Sequence, residues 1–292
     1  MPVRAREHIR KMRGGANAHL VLANDDHFYV VKFRNNPQHS RVLVNELIAY
    51  TLLDYLQLPV PPWDIVEVPS ELIEISPELL MEDGQQLVRC EPGLHFGSRY
   101  PVDPTRHSVY DYVPLSLLRL VLNLNAFLGM VVFDKWVSNA NGRQAIFFRD
   151  RAKRWLSKGG VPDQSDVSPR SLVYVANMID HGFAFNAHHW DFVDNPERGL
   201  YLRREVYENV SGFESFEPWL TRLRECPPEV LDDAYKRIPP AWLGVDSGEL
   251  EDLLERLYLR RANVADLLLG AKSAPKDPFP NWATKASAAR TV

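Results

Sequence analysis

The chain has 292 residues, of which 45% are hydrophobic and 25% charged, enough apolar material for one large domain or two lobes around a packed core. A formal charge of −4 and a pI near 6.2 leave no basic excess, which argues against a general nucleic-acid binder. Cys90 and Cys226 form no CxxC or histidine-linked pattern, so two unpaired thiols in a reducing compartment are expected rather than a disulfide framework. The N-terminal residues do not form an apolar leader, and the longest apolar run, 115 to 132, is interrupted by Arg119, Asn123 and Asn125; no membrane association is expected, and the cytoplasm is.

Residues 13 to 20, with Gly14 and Gly15, read as a turn-prone loop. His19 to Ala23 and His27 to Phe33 are short β-branched or aromatic runs on either side of Asn24-Asp25-Asp26, an antiparallel hairpin that carries Lys32 near its end. Residues 41 to 56 space their apolar side chains as a helix, stopped by Pro59-Val60-Pro61-Pro62, and this helix bears Asn45 and Glu46. Runs at 65 to 68 and 73 to 81 predict further strands, and the glycine- and proline-punctuated stretch 91 to 101 predicts a connection to a second lobe.

Residues 115 to 137 predict one central helix, with asparagines that need partners where buried. Then come a polar, mobile insertion over 158 to 166 and a strand over 172 to 179 that runs into Asp180-His181-Gly182. Helices are expected at 214 to 225, 227 to 238 and 247 to 269, the last opened by Asp246 with Glu249 at capping-box spacing. The expected division is 1–95 and 96–271, with a disordered tail over 272–292. His181, His188, His189 and Asp191 are metal-ligating residue types, but their spacing matches no familiar zinc pattern; the aromatic-rich run 183 to 192 reads instead as a packed loop. Trp136, Trp190, Trp219 and Trp242 are expected in the core.

Taken in order, the Gly-Gly loop, Val30-Val31-Lys32-Phe33, the Asn45-Glu46 helix, Gly93 to Ser98, Phe133-Asp134-Lys135-Trp136, Ile179-Asp180-His181-Gly182 and residues 238 to 243 resemble the HipA-like kinases, in particular the smaller bacterial branch without the N-terminal extension of the toxin itself. The resemblance spans about residues 10 to 270 and implies an α/β fold of the α+β, two-lobed, protein-kinase-like type, with a small β-rich N-lobe and a larger helical C-lobe. It implies ATP and Mg²⁺ as cofactors. Gly14, Gly15, Asn17, His19, Lys32 and Glu46 would bind nucleotide, Lys32 would contact the phosphates while paired with Glu46, and Asp180 would hold the metal. The implied activity is phosphorylation of a protein serine or threonine, and because the family includes toxins of toxin–antitoxin pairs, a target in the translation machinery is among the possibilities.

The family's catalytic loop, Asn-x-Asp-x-His/Arg-x-x-Asn, falls on residues 139 to 146, which puts Asn141 at the catalytic and metal-adjacent aspartate and Ile146 at the second metal ligand. A carboxamide positions a hydroxyl without deprotonating it, so an inactivated or slow kinase and a nucleotide-binding pseudokinase that serves a partner both remain open. Asp134, one to two helical turns earlier, is a candidate alternative base or, in the favoured reading, a hydrogen-bonding support for the loop.

Overall fold

The computed structural model describes residues 2–157 and 166–283. The expected insertion therefore lies almost wholly outside the described residues, as does the tail from 284. The N-terminal part is a five-stranded barrel in the order β1-β2-β3-β7-β4, made from β1 (Val3–Lys11), β2 (His19–Ala23), β3 (Phe28–Lys32), β4 (Trp63–Val68) and β7 (Gly93–Arg99). Its ladders are antiparallel except where β1 runs parallel to β4, pairing Val3 with Val66 and Arg4 with Glu67, which closes the sheet and removes its free edges. Inside it Val21, Val31, Phe33, Val66 and Val68 form a small core of their own.

Helix α1 (Arg41–Tyr55) is apolar on nearly every side, the mark of a helix buried all round. It packs in the large core, together with α4 (Ala126–Trp136) and the helices that follow. α2 (Ser70–Ile75), β5 (Leu80–Asp83) and β6 (Gln86–Arg89) replace the single strand expected over 73 to 81: Leu72 and Ile73 bury one face of a short helix, which ends before Pro77. The stretch 91 to 101 is also more than a connection. It contains β7, the strand between β3 and β4, so the boundary after residue 95 falls inside a strand.

The expected helix over 115 to 137 is split into α3 (Leu115–Leu118) and α4. The break has a cause in Asn123, which accepts from the Ala176 N–H at 2.8 Å and donates to its carbonyl at 2.8 Å, tying the segment to strand β9 (Leu172–Ile179). β9 pairs antiparallel with β8 (Gln144–Arg151) in a two-stranded ribbon that lies under the barrel. The helical remainder comprises α5 (Trp219–Arg224), α6 (Pro228–Arg237), α7 (Pro240–Leu243), α8 (Ser247–Arg260) and α9 (Val264–Lys272). Asp246 and Glu249 do not form the expected capping box: both carboxylates take Arg41, Asp246 at 2.7 Å. Beyond Lys272 the chain stays packed through residue 283, against the expectation for this stretch, because Phe279 and Trp282 bury against Phe216. The four tryptophans are buried and both cysteines are free, as expected, and the thiols are buried as well.

Candidate active site

Between the barrel and the β8–β9 ribbon lies a cavity of about 610 Å³. Its roof is the β1–β2 loop with Gly14 and Gly15, and Val30 from β3; its floor is Ile146 and Ile179, the apolar clamp that a planar ring system needs. Lys32, Glu46, Gln144 and Asp180 also line it.

Alternation along β3 puts Val30 and Lys32 on the cavity face and Val31 in the barrel core. At the end of the strand the Lys32 ammonium donates to Glu46 Oε1 and, at 2.6 Å, to Asp180 Oδ1. Glu46 is fully buried and also accepts the His181 N–H at 3.0 Å. Burial by itself would lower the Lys32 pKa, but the two carboxylates outweigh it and raise it. Glu46 moves upward because of its burial, with Lys32 opposing; Asp180 is half-buried, which would raise it, yet Lys32, Arg143 and Gln144 hold it below the usual carboxylate range. The cluster is thus one shared charge network.

Asp180 has φ +59°, a left-handed backbone that a non-glycine residue adopts only when its surroundings demand it. Those surroundings are visible. Gly182 must lack a side chain, since a Cβ there would meet Val42 Cγ1 at 2.6 Å. Asn45, beside Glu46 on α1, donates to the carbonyls of Gly182 (2.8 Å), Ala184 (3.1 Å) and Ala187 (2.8 Å) and accepts from Trp190 Nε1 at 2.8 Å. Arg143, also buried, donates to the Ile179 carbonyl (2.8 Å) and His181 Nδ1 (3.0 Å) while its Nε holds Asp134 at 2.9 Å. Asp134 also accepts from Asn139 Nδ2 at 2.9 Å, so this buried carboxylate is committed to holding the loop, as the favoured sequence reading has it.

The structure brings Gly14, Gly15, Lys32, Glu46 and Asp180 to one cavity. It does not bring Asn17, His19 or Asn141 there. Asn17 turns to β5, clasping the Glu82 backbone with Nδ2 to O at 3.0 Å and N to Oδ1 at 2.9 Å. His19 is registered opposite Val31, which puts it on the barrel-core face, and its ring meets His8 at 3.0 Å. Asn141 is exposed and its Oδ1 accepts the Gly142 N–H at 2.8 Å, closing the loop locally. Gln144 occupies the place the sequence reading gave to Asn141: its Nε2 donates to Asp180 Oδ2 at 2.7 Å. Only the β8–β9 register, Gln144 opposite Ile179, reveals that neighbour, and the sequence carries no signal of it. Among the described residues no group of three or more His, Cys, Asp or Glu side chains could hold a metal ion, so His181, His188, His189 and Asp191 do not form a transition-metal site.

A barrel lobe stacked on a helical lobe, with a lysine, a glutamate and an aspartate meeting in the cleft, is the architecture of the protein kinases. A family model described as HipA-like kinase matches residues 6–146, which supports the resemblance to the HipA-like kinases drawn from the sequence. Among solved structures, the crystal structure of the Golgi casein kinase with Mn/ADP bound is similar at a TM-score of 0.51 and 13% identity, over 94% of this chain and 74% of that one. A second crystal structure of the Golgi casein kinase has the same TM-score and identity, with 94% of this chain and 73% of that one covered. At such identity the likeness is one of fold. A comparison with curated proteins finds no match.

Proposed function

We propose that this chain is an ATP-dependent phosphotransferase of the HipA-like type, which binds nucleotide in the cleft between a barrel lobe and a helical lobe. The observation that carries the reading is the Lys32 ammonium held between Glu46 and Asp180 under the Gly14-Gly15 loop. A cation fixed in this way offsets phosphate charge, and its orientation by Glu46 removes the entropy a free lysine would lose on binding. Ile146 and Ile179 suit the base, and backbone N–H groups of the glycine loop suit the phosphates. A hard divalent cation, Mg²⁺ in our reading, fits one carboxylate plus phosphate oxygens, which is the donor set Asp180 offers, and when bound it would offset charge on the transferring phosphoryl group. The Golgi casein kinase structure with Mn/ADP is consistent with that donor chemistry in the same fold. The acceptor, by family resemblance, is a protein serine or threonine, with a component of the translation machinery as the first class of target to assay.

Asn141 favours a second reading, a nucleotide-binding pseudokinase that recruits a partner. The residue is an exposed amide closed on Gly142, and Asp134 is fully engaged by Arg143 and Asn139, so neither supplies a base. Two measurements separate the cases. Saturating Mg-ATP should raise the melting temperature; at about a hundredfold over Kd the stabilisation is about 2.7 kcal/mol. Transfer of labelled γ-phosphate is compared between the wild type and Asn141→Asp, and a rise in the variant would require residue 141 to leave its Gly142 contact and turn into the cleft. Binding without transfer in either form would leave the pseudokinase; no shift with Mg-ATP would refute nucleotide binding altogether.

A further inference from the structure

The position at which the family pattern places a second metal ligand is Ile146, whose side chain is hydrocarbon and forms part of the cavity floor. A cation coordinated by Asp180 alone would lack a second protein oxygen there. Gln144 lies two residues earlier on β8, hence on the same face of the strand, and both line the cavity. Its register partner is Ile179, the residue before Asp180, and its amide already touches Asp180 Oδ2 at 2.7 Å. The side chain is exposed to the cavity side rather than packed, so its amide is free to turn end for end.

We propose that Gln144 is the second metal ligand of this cleft, standing in for the absent asparagine at position 146. The inference rests on reading the cavity as a nucleotide–metal site. Without a cation the amide donates its N–H to Asp180; with one, exchanging the two ends of the amide presents Oε1, a hard neutral oxygen of the kind that Mg²⁺ and Mn²⁺ accept beside a carboxylate and phosphates. Gln144 thus serves as a placeholder in one state and a ligand in the other.

The test uses the full chain and Mn²⁺ as the probe. Mn²⁺ binding is followed by electron paramagnetic resonance in the presence of ATP, and ATP binding without metal is followed by calorimetry in EDTA. Gln144→Leu, which keeps an aliphatic side chain there but removes the oxygen, should weaken Mn²⁺ binding about tenfold or more while leaving metal-free ATP binding within about twofold. Gln144→Glu, which restores a hard oxygen, should bind Mn²⁺ at least as tightly as the wild type. If Gln144→Leu keeps wild-type Mn²⁺ affinity, the ligand assignment is overturned while nucleotide binding stands. If Gln144→Glu loses affinity as Gln144→Leu does, Gln144 merely positions Asp180, since a second carboxylate repels Asp180 where no cation bridges them, and the assignment is overturned again. A wild type that binds ATP neither with nor without Mn²⁺ overturns the nucleotide reading, and this inference with it.

Discussion

Replacing Lys32 with methionine tests the charge network at its centre. The substitution keeps most of the side-chain volume and removes the cation that touches both carboxylates. Glu46, with 1% of its side chain exposed, is left with the His181 N–H as its remaining partner, while Asp180, at 18% exposure, keeps Gln144. Breaking a buried pair from one side costs about 3–5 kcal/mol, because a desolvated charge remains without compensation. With a urea m-value of about 2–3 kcal/mol/M, the unfolding midpoint should fall by roughly 1–2 M. The sign of the pH dependence follows from Glu46, which burial already pushes upward and which loses its opposing cation. A carboxyl raised in the folded state contributes stability that is full below the unfolded pKa and is lost as pH rises through the folded one. The deficit of Lys32→Met should therefore widen from pH 5 to pH 8, by at most about 1.4 kcal/mol per unit. Adding Glu46→Gln should recover part of the loss, since the pair is coupled. Urea denaturation followed by circular dichroism at pH 5 and pH 8 is the assay. A wild-type midpoint for Lys32→Met at pH 8, or a deficit that does not change with pH, would refute the proposed coupling.

Gly182→Ala forces a methyl onto Val42 at 2.6 Å and should cost about 1–3 kcal/mol as overpacking, read by thermal melting; an unchanged melting temperature would mean the turn has room that its packing denies. Burial holds His19 neutral down to about 4 and His95 down to about 3, so protons bind the unfolded chain first and stability should fall as pH drops from about 6.5 toward 4, before most carboxylates titrate; a flat melting temperature across that window would contradict it. Burial pushes the thiols of Cys90 up to about 12 and of Cys226 up to about 11, so neither should react with a thiol reagent in the native chain at pH 8, and both should react once denatured.

What was legible in the sequence was what local patterns encode. A hairpin ending in Lys32, an apolar helix carrying Glu46 and a strand running into Asp180-His181-Gly182 each announce themselves within a few residues, and their chain order supplied the rest. Strand β1 did not: of its nine residues only Ala5 is buried, so charged side chains mask the alternation. β7 was hidden by Gly93 and Gly97, residues that normally punctuate loops; here Gly97 allows the close approach of Val66 on β4, and Gly93 takes a positive φ of +130°. The placement of Asn17, His19 and Asn141 away from the cavity has one cause, since a loop or strand residue near a site can face either way and register alone decides. Arg143 was equally out of reach. Its worth lies in partners 9, 36 and 38 residues distant, which spacing cannot reveal.

The grip of Asn45 on three carbonyls beyond Gly182 has a mechanical consequence for the way the cleft can breathe. α1 shares its hydrophobic packing with the helical lobe, whereas the barrel keeps a separate interior. The helix that bears Glu46 is thus fixed to the helical lobe rather than to the barrel. Were the barrel to shift against the helical lobe, Glu46 and Asp180 would keep their spacing and Lys32, on β3, would be the group displaced. Amide hydrogen exchange should accordingly find α1 opening together with α4 and more slowly than β1 to β3, and the reverse order would place the hinge on the other side of the helix.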